Sequence, residues 1–258
     1  MTYKAVCFFD LDGTLLNEQH QVDDEVRAAI AQLKENNILP IIATGRAVSQ
    51  LSEIKKQADI QSVVALNGAY IEVDGKMIHE EVIPTQVVER FVDFSNSINK
   101  EISFVNADKV WINELSEYIE KAYAAFDIPL PLELPNHFLD TKVHMLLAMS
   151  DEKEKDIYYH EAFPELNFFR NSISTVDVVK KGTDKGSGVA KILEYLGHTD
   201  IPTYAFGDGP NDIALLKAVD YGVAMGNGVA EAKEVADFVT AKNTEGGLIQ
   251  AFKHFELI

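Results

Sequence analysis

Cysteine is nearly absent from the 258-residue sequence, which contains only Cys7. A single thiol cannot form an intramolecular disulfide, and this scarcity fits a reducing compartment. Long apolar runs are also missing near the N-terminus, because the run Ala5–Phe9 ends at Asp10. That run is too short for a signal peptide or a membrane span. We therefore expect a cytoplasmic protein that is neither exported nor anchored in a membrane.

Positive charge is scarce as well. The sequence has 23 lysine and arginine residues against 41 aspartate and glutamate residues, which leaves a formal net charge of −18. Such a field repels nucleic acid and anionic membrane surfaces, so neither is an expected partner. A small anionic substrate would need a local cation to draw it in. The remaining composition, 47% hydrophobic and 25% charged, is ordinary for a globular protein with a sizeable core.

The N-terminal part of the sequence alternates between apolar strands and amphipathic helices. Residues 4–9 and Ile38–Ala43 have the continuous apolar pattern of strands buried on both faces of a parallel sheet. Pro40 counts against a central strand in the second of these. A helix is predicted between the two strands, another is expected to open at Thr44, and a third strand follows at 63–66. This alternation is typical of right-handed crossover units on a parallel sheet.

The same alternation of strands and helices occurs near the other end of the sequence. We predict strands at 203–206 and 221–225 and, before them, a helix that is closed by Gly197. The two ends of the sequence should therefore build one parallel sheet, and the fold class is α/β. Between them the alternation is lost, and we interpret 80–179 as an inserted second domain. The predicted core domain comprises 1–79 and 180–258.

Each predicted core strand ends in a polar cluster. In open parallel sheets, ligands bind beyond the carboxyl ends of the strands, where the strand order reverses. A common sheet would let Asp10 and Asp208 share a ligand, and carboxylates brought close raise one another's pKa unless a cation neutralises them. Oxygen ligands without histidine or cysteine nearby favour Mg²⁺ over zinc. The clusters are Asp10-Leu11-Asp12-Gly13-Thr14, Thr44-Gly45-Arg46, Asn67-Gly68 and Gly207-Asp208-Gly209-Pro210-Asn211-Asp212.

Lys185 and its neighbours Gly186 and Gly188 are unfavourable residues for the start of a helix. Lys185 falls at the start of a predicted helix, behind Asp184 as a possible cap, where the helix dipole disfavours a cation. Gly186 and Gly188 weaken the same turn by about 1 kcal/mol each relative to alanine. A phosphate oxygen between the helix start and the ammonium group would explain all three residues. Unfavourable residues of this kind are expected at functional sites.

Most of these clusters also have a purely structural explanation. Asp10 and Asp12 could belong only to a turn, and Thr44 could be only a helix N-cap. Arg46 could pair with a surface carboxylate rather than touch a substrate. Pro210 fits the first position of a helix. Their joint occurrence at the ends of neighbouring strands favours metal and phosphate binding.

The motifs together resemble those of a known superfamily. In this order, and with a long insertion before the lysine, they are similar to the four motifs of the haloacid dehalogenase (HAD) superfamily. More narrowly, the sequence resembles the Cof-like phosphatases, whose Rossmann-like core carries an inserted α/β cap of type IIB, also written C2B. The resemblance covers essentially the whole sequence, with small departures. Asp184 stands where the family more often has serine, and Leu215 where methionine is common. The motifs are Asp10-Leu11-Asp12-Gly13-Thr14-Leu15, Thr44-Gly45-Arg46, Lys185-Gly186, Gly207-Asp208-Gly209-Pro210-Asn211-Asp212 and the tail Gly222-Val223-Ala224-Met225-Gly226-Asn227.

The resemblance implies a role for each motif residue. Asp10 would be the nucleophile that forms an aspartyl-phosphate, and Asp12 the acid and base. Mg²⁺ would be held by the Asp10 and Asp208 carboxylates and the Asp12 backbone carbonyl, with Asp212 orienting these ligands. The expected phosphate-binding residues are Thr44, Gly45, Lys185 and Asn211.

The implied reaction is Mg²⁺-dependent hydrolysis of a small phosphate monoester. Sugar phosphates, pyridoxal phosphate and flavin mononucleotide are the substrates that the family suggests. A monomer is favoured, because the cap covers the active site of its own chain. Two alternatives stay open: a phosphosugar mutase or phosphotransferase, in which a second hydroxyl replaces water, and a catalytically idle module that binds a phosphorylated ligand.

Overall fold

The computed structural model describes residues 3–125, 129–170, 172–197 and 200–258. Within these residues the strands form two sheets, and no helix is long and apolar enough to cross a membrane. The strands are β1 (Ala5–Phe9), β2 (Ile38–Ala43), β3 (Ser62–Ala65), β4 (Tyr70–Val73), β5 (Lys76–Glu80), β6 (Ile102–Val105), β7 (Val110–Ile112), β8 (Leu132–Glu133), β9 (Met145–Met149), β10 (Leu166–Phe169), β11 (Thr175–Lys180), β12 (Thr203–Gly207), β13 (Tyr221–Ala224) and β14 (Phe238–Val239). The helices are α1 (Asp24–Glu35), α2 (Ser52–Ala58), α3 (Thr85–Ser97), α4 (Glu117–Ala125), α5 (Asp156–Ala162), α6 (Lys185–Leu196), α7 (Ile213–Lys217), α8 (Ala230–Val235) and α9 (Gly247–His254).

The first sheet joins the two ends of the sequence, as the apolar patterns predict. Its strand order in the described residues is β14-β13-β12-β1-β2-β3-β4-β5, and β1 pairs in parallel with both β2 and β12. The chain leaves β1 toward β2 and β3 and later returns on the other side of β1. The strand order therefore reverses beside β1, which is where a parallel sheet offers a binding crevice.

Strand β1 is buried on both faces. Cys7 and Phe9 belong to one hydrophobic core, while Val6 and Phe8 belong to the core on the opposite face. The first core includes residues of α1 and α9, and the second includes residues of α6 and α7. This two-sided burial accounts for the uninterrupted apolar run in the sequence.

The predicted second strand, Ile38–Ala43, is confirmed, whereas the expected helix start at Thr44 is wrong. Thr44 does not open a helix, because α2 begins only at Ser52. The backbone of Thr44 instead pairs with β3 and the segment after it, since its N–H donates to Val64 O and its C=O accepts from Asn67 N. Pro40 does lie in a central strand. It is tolerated because the pairing of β2 with β3 begins one residue later, at Ile41.

The hairpin of β4 and β5 extends the first sheet with antiparallel strands. Its turn is Asp74-Gly75, with φ of 50° and 75°. Such left-handed values at both central residues suit a tight two-residue hairpin. Strand β5 ends at Glu80, from which the chain runs toward the second sheet.

The second sheet has the order β10-β11-β9-β6-β7-β8 and is antiparallel except between β7 and β8. Residues of α3 and α5 cover one face, where Phe91, Trp111 and Phe163 share a core. Part of the opposite face packs against the first sheet, since Val105 and Met145 belong to the core that contains Phe9, and α4 covers Ile112 and Met149 on the same face. The division of the chain into domains at 80 and 180 stays a prediction.

Candidate active site

Three carboxylates converge at the carboxyl ends of β1 and β12. Asp10 follows β1, and its backbone N–H donates to Phe206 O on the neighbouring strand at 2.9 Å. Asp208 follows β12, so the pairing of these strands places the two carboxylates side by side. Oxygen atoms of Asp10, Asp208 and Asp212 all lie within 4.8 Å of one another. The chain thus brings acidic groups from its two ends to one point.

Asp212 is held in place by the turn that follows β12. Pro210 begins a short 3-10 helix that ends at Asp212, as its ring favours. Oδ2 of Asp212 accepts hydrogen bonds from the backbone N–H groups of Asp208 and Gly209, at 2.9 and 2.8 Å. Asp212 therefore fixes the backbone that carries Asp208, and its role in orienting metal ligands stays a prediction.

Lys185 enters this cluster from the first turn of α6. Its side chain is fully buried, and Nζ donates to Asp10 Oδ1 at 2.6 Å and to Asp212 Oδ1 at 2.7 Å. Burial lowers the pKa of Lys185, but the two carboxylates outweigh it, so the pKa is raised overall. The lysine stays charged, and in the described part of the chain two of its three N–H donors are used, which leaves one for a further acceptor.

The glycines beside Lys185 have a packing role, which corrects the explanation drawn from the sequence. A Cβ on Gly186 would lie 2.3 Å from Ala214 O, and one on Gly188 would lie 2.6 Å from Val64 Cγ1. Both glycines therefore let α6 approach α7 and β3 closely. The expected cap is confirmed, because the Asp184 side chain accepts from Ser187 N at 2.6 Å. No phosphate is needed to explain these residues.

The carboxylate cluster carries uncompensated negative charge. Burial raises the pKa of Asp10 well above its usual value, Asp212 and Asp208 raise it further, and Lys185 opposes them. Burial and then Asp212 raise the pKa of Asp208 to about 6, against a hydrogen bond from Thr14 Oγ1 at 2.9 Å. Oxygen ligands with excess negative charge suit a hard divalent cation. The cluster therefore fits a metal site.

Asp12 does not join the three carboxylates with its side chain. Its carboxylate is about half exposed and pairs with Arg46, whose Nε lies 3.0 Å from Oδ2. His20 Nδ1 approaches the same carboxylate at 3.4 Å. Of the two explanations given for Arg46, the structure shows the ion pair rather than a contact with substrate. Its partner is Asp12, the predicted acid. His20 gave no signal in the sequence because it lies in a polar turn.

Three of the four expected phosphate-binding residues, Thr44, Gly45 and Asn211, lie beside Asn67. A Cβ on Gly45 would lie 3.2 Å from Asn67 Nδ2, and Asn211 Nδ2 donates to Asn67 Oδ1 at 3.0 Å. Thr44 is buried, and its Oγ1 accepts from the Arg46 N–H at 3.1 Å. The structure brings Gly45 and Asn211 together, and their contact with a phosphate stays a prediction. Asn67 was noticed only as part of a strand end.

A parallel sheet with an acidic cluster and a buried lysine at its carboxyl edge is suited to bind a metal ion and an anionic ligand. The chain belongs to the haloacid dehalogenase-like hydrolases, whose family model matches residues 7–252. The HAD family and the α/β fold with a parallel-sheet core, both predicted from the motifs, are confirmed. The predicted enzyme class, a phosphatase of this superfamily, is confirmed as well.

Relatives and solved structures match over nearly the whole chain. A 5-amino-6-(5-phospho-D-ribitylamino)uracil phosphatase of Bacillus subtilis (strain 168), YcsE, is 30% identical over 253 residues, 96% of this chain and 94% of that protein. The HAD phosphatase BT1666 from Bacteroides thetaiotaomicron has a TM-score of 0.92 and 31% identity, covering 99% of this chain and 96% of that one. The subclass IIB sugar phosphatase BT4131 has a TM-score of 0.87 and 29% identity, covering 98% and 99%.

Proposed function

We propose that this protein is a Mg²⁺-dependent phosphatase that hydrolyses small phosphate monoesters through an aspartyl-phosphate. The observation that carries the proposal is the meeting of Asp10, Asp208 and Asp212 around the buried ammonium of Lys185. Substrates with a polyhydroxylated leaving group, such as sugar phosphates, are supported by the relatives that are named for a ribityl phosphate and for sugar phosphates.

Asp10 is the proposed nucleophile. One of its carboxylate oxygens forms a bond to phosphorus while the bond from phosphorus to the ester oxygen breaks, and Asp12 gives its proton to the departing alcohol. Asp12 then takes a proton from a water molecule, which attacks the phosphorus and releases phosphate. This second step restores the Asp10 carboxylate and the proton on Asp12.

Asp10, Asp208 and the backbone carbonyl of Asp12 would hold Mg²⁺. When bound, the cation would supply positive charge that offsets the charge of the carboxylates and of the phosphoryl group. Asp212 positions the Asp208 backbone and Lys185, while Thr44, Gly45, Lys185 and Asn211 are the proposed donors to the phosphoryl group.

The charge balance favours a protonated Asp12 at the start of the reaction. Asp10, Asp12 and Asp208 at about −3 and the ester at about −2 meet Mg²⁺ and Lys185 at about +3, which leaves roughly −2. Asp212 and Arg46 add charges of opposite sign that cancel. Protonation of Asp12 removes one negative unit and prepares it to act as an acid. Asp12 must then release Arg46, which pairs with it in this structure.

The second sheet is the proposed cap, an inserted domain over 80–179 on a core of 1–79 and 180–258. It faces the first sheet through Val105 and Met145, so a leaving group would lie between the two sheets. Because the cap covers the site of its own chain, we propose a monomer. We also propose a cytoplasmic location, which suits a buried, unpaired Cys7.

Hydrolysis of p-nitrophenyl phosphate tests the proposed function. We expect p-nitrophenol release in Mg²⁺ that stops in EDTA and returns when Mg²⁺ is added back. A binding module would release none above background. Phosphoryl transfer to an added sugar in place of water would instead identify a phosphotransferase.

The stabilisation of the fold by Mg²⁺ is expected to grow as the pH rises through about 6, the raised pKa of Asp208. The pKa of Asp10 is raised as well. The folded protein therefore binds more protons than the unfolded chain in this window, so without a cation these two groups make it less stable as the pH rises. A divalent cation replaces the protons. The Tm difference between samples in Mg²⁺ and in EDTA should be small below this pH and larger above it.

Asp208→Asn should remove most of this increment, whereas Asp24→Asn, an exposed change on α1, should keep it. A Tm increment that is constant with pH, or one that survives Asp208→Asn, would contradict the assignment of the cation to this cluster.

A further inference from the structure

A chain of hydrogen bonds links the second sheet to the candidate phosphate site. Asp177 Oδ2, on β11, accepts from Asn67 Nδ2 at 2.7 Å. Asn67 Oδ1 in turn accepts from Asn211 Nδ2 at 3.0 Å. Asn67 follows β3 and is fully buried, so its carboxamide is held between a residue of the second sheet and a residue of the loop after β12.

The backbone around Asn67 is strained. Leu66, Asn67 and Gly68 have successive φ values of 52°, 51° and 97°. Left-handed backbone is unfavourable for a leucine and persists only where the surroundings enforce it, which is common at functional sites. The Asn67 N–H also donates to Thr44 O at 3.0 Å. Its side chain is therefore anchored beside the loop that carries Gly45.

Asp177 determines which way the Asn67 carboxamide is turned. An ionised carboxylate only accepts hydrogen bonds, so Asn67 must present its NH₂ group to Asp177. Met145 Sδ, also on the second sheet, lies 3.7 Å from the same nitrogen and is a weak acceptor. The oxygen of Asn67 then faces Asn211, which must donate a hydrogen bond from its own NH₂ group. Asp177 thus sets the orientation of the Asn211 carboxamide through the Asn67 side chain that lies between them.

We propose that Asp177 is a positioning residue for phosphoryl binding, acting through Asn67 on Asn211. It holds the Asn211 carboxamide with its nitrogen on the side of Asn67 and Gly45, where a second N–H of that nitrogen is available to an anion. The inference rests on the proposed function, in which Asn211 binds the phosphoryl group. It adds that this donor is correctly oriented only while the second sheet is seated on the first.

Gly45 is part of the same arrangement. A Cβ at this position would lie 2.9 Å from Asp177 Oδ2 and 3.2 Å from Asn67 Nδ2. A side chain there would therefore press on the hydrogen bond between the two sheets. Because residue 45 has no side chain, the Asp177 carboxylate can lie close enough to Asn67 to accept its hydrogen bond.

Asp177→Asn tests the proposal with an isosteric change. Asparagine can offer either its oxygen or its NH₂ group to Asn67, so the orientation is no longer imposed. Calorimetric titration with inorganic phosphate in Mg²⁺ should show about tenfold weaker binding, the loss of one hydrogen bond to an anion. The kcat/KM for p-nitrophenyl phosphate and for a sugar phosphate should fall by the same factor, mainly through KM. Glu161→Gln, an equal change of charge on α5, should leave all of these values unchanged.

A second variant separates orientation from simple contact between the sheets. In Asn67→Asp/Asp177→Asn the acceptor-only group lies at position 67, so Asn211 must again donate its N–H. This variant should bind phosphate more tightly than Asp177→Asn alone. Equal binding by the two variants, or an unchanged phosphate affinity in Asp177→Asn, would overturn the proposal. A fall in kcat/KM for only one of the two substrates would also overturn it, because Asp177 would then contact the leaving group.

The two levels of inference fail differently. Loss of the proposed function would appear in the unaltered protein, as no Mg²⁺-dependent release of p-nitrophenol. Phosphate binding by calorimetry does not require turnover, so it still tests Asp177 in a protein that binds phosphate without hydrolysing esters. Absence of phosphate binding in the unaltered protein would overturn both proposals.

Discussion

Asp10→Asn is expected to lower phosphatase turnover by about 10⁴-fold or more, the scale of loss found when a nucleophile is removed. The carboxamide cannot form the acyl phosphate that the proposed reaction requires. The fold should survive, because the asparagine oxygen can still accept from Lys185 Nζ, which lies 2.6 Å from Asp10 Oδ1. Removing one of three repelling carboxylates also relieves the strain that raises the pKa of Asp10. The measurement is kcat for p-nitrophenyl phosphate together with Tm in EDTA.

The expected pattern is lost turnover with an unchanged or higher Tm in EDTA. Asp24→Asn, which removes an exposed ion pair with Arg27 on α1, is the matched control and should keep full activity. Wild-type turnover in purified Asp10→Asn protein would discard the nucleophile assignment. A Tm lowered by many degrees would show that the carboxylate supports the fold, and would leave the activity loss without a chemical meaning.

Lys185→Met is expected to have the largest effect on stability. Methionine keeps most of the volume, but it leaves the carboxylates of Asp10 and Asp212 without the cation that both of them contact. Breaking a buried ion pair by removing one partner costs about 3–5 kcal/mol. For a chain of this length that corresponds to a Tm lowered by about 10 °C. Activity should be lost as well, because Lys185 Nζ donates to the carboxylate of Asp10, the proposed nucleophile.

A double-mutant cycle identifies the cause of that loss. In Asp10→Asn/Lys185→Met one of the two unpaired carboxylates is gone, so the free energy of unfolding should exceed that of Lys185→Met by at least about 1 kcal/mol. Lys191→Met changes an exposed lysine on the same helix and should alter stability little. Equal stability of the single and double variants would mean that Lys185 acts by packing rather than by charge.

The parallel part of the fold could be predicted from the sequence because its signals are local. Buried strands such as β1 are continuous apolar runs, and α6 ends at Gly197, whose φ is 68°. The hairpin of β4 and β5 was not predicted. Its strands are short and half exposed, although the pair Asp74-Gly75 is a recognised hairpin signal. Thr44 was wrongly placed at a helix start because its backbone partners lie about twenty residues away, in β3 and just after it.

The candidate site was predictable where its residues follow strands directly. Asp10 and Asp208 end neighbouring strands, so topology alone places them together. Asp177 carries no comparable signal, since it is one of several alternating residues in β11 and its partner Asn67 lies far away in the sequence. Packing of one sheet on the other creates that contact. The pairing of Arg46 with Asp12 likewise carries no signal in the sequence, because it depends on how the loops after β2 and β1 lie relative to each other.

The pairing of β1 with β12 affects the order in which the protein can fold during synthesis. During synthesis the edge of β1 remains without its partner until residues beyond 200 have left the ribosome, whereas the second sheet is built entirely from a contiguous stretch that emerges earlier. Distant pairings of this kind form late and slowly. A nascent chain that stops before β12 therefore carries a complete second sheet but a candidate site without Asp208, Asn211 and Asp212, and it exposes an apolar strand edge that chaperones would have to shield.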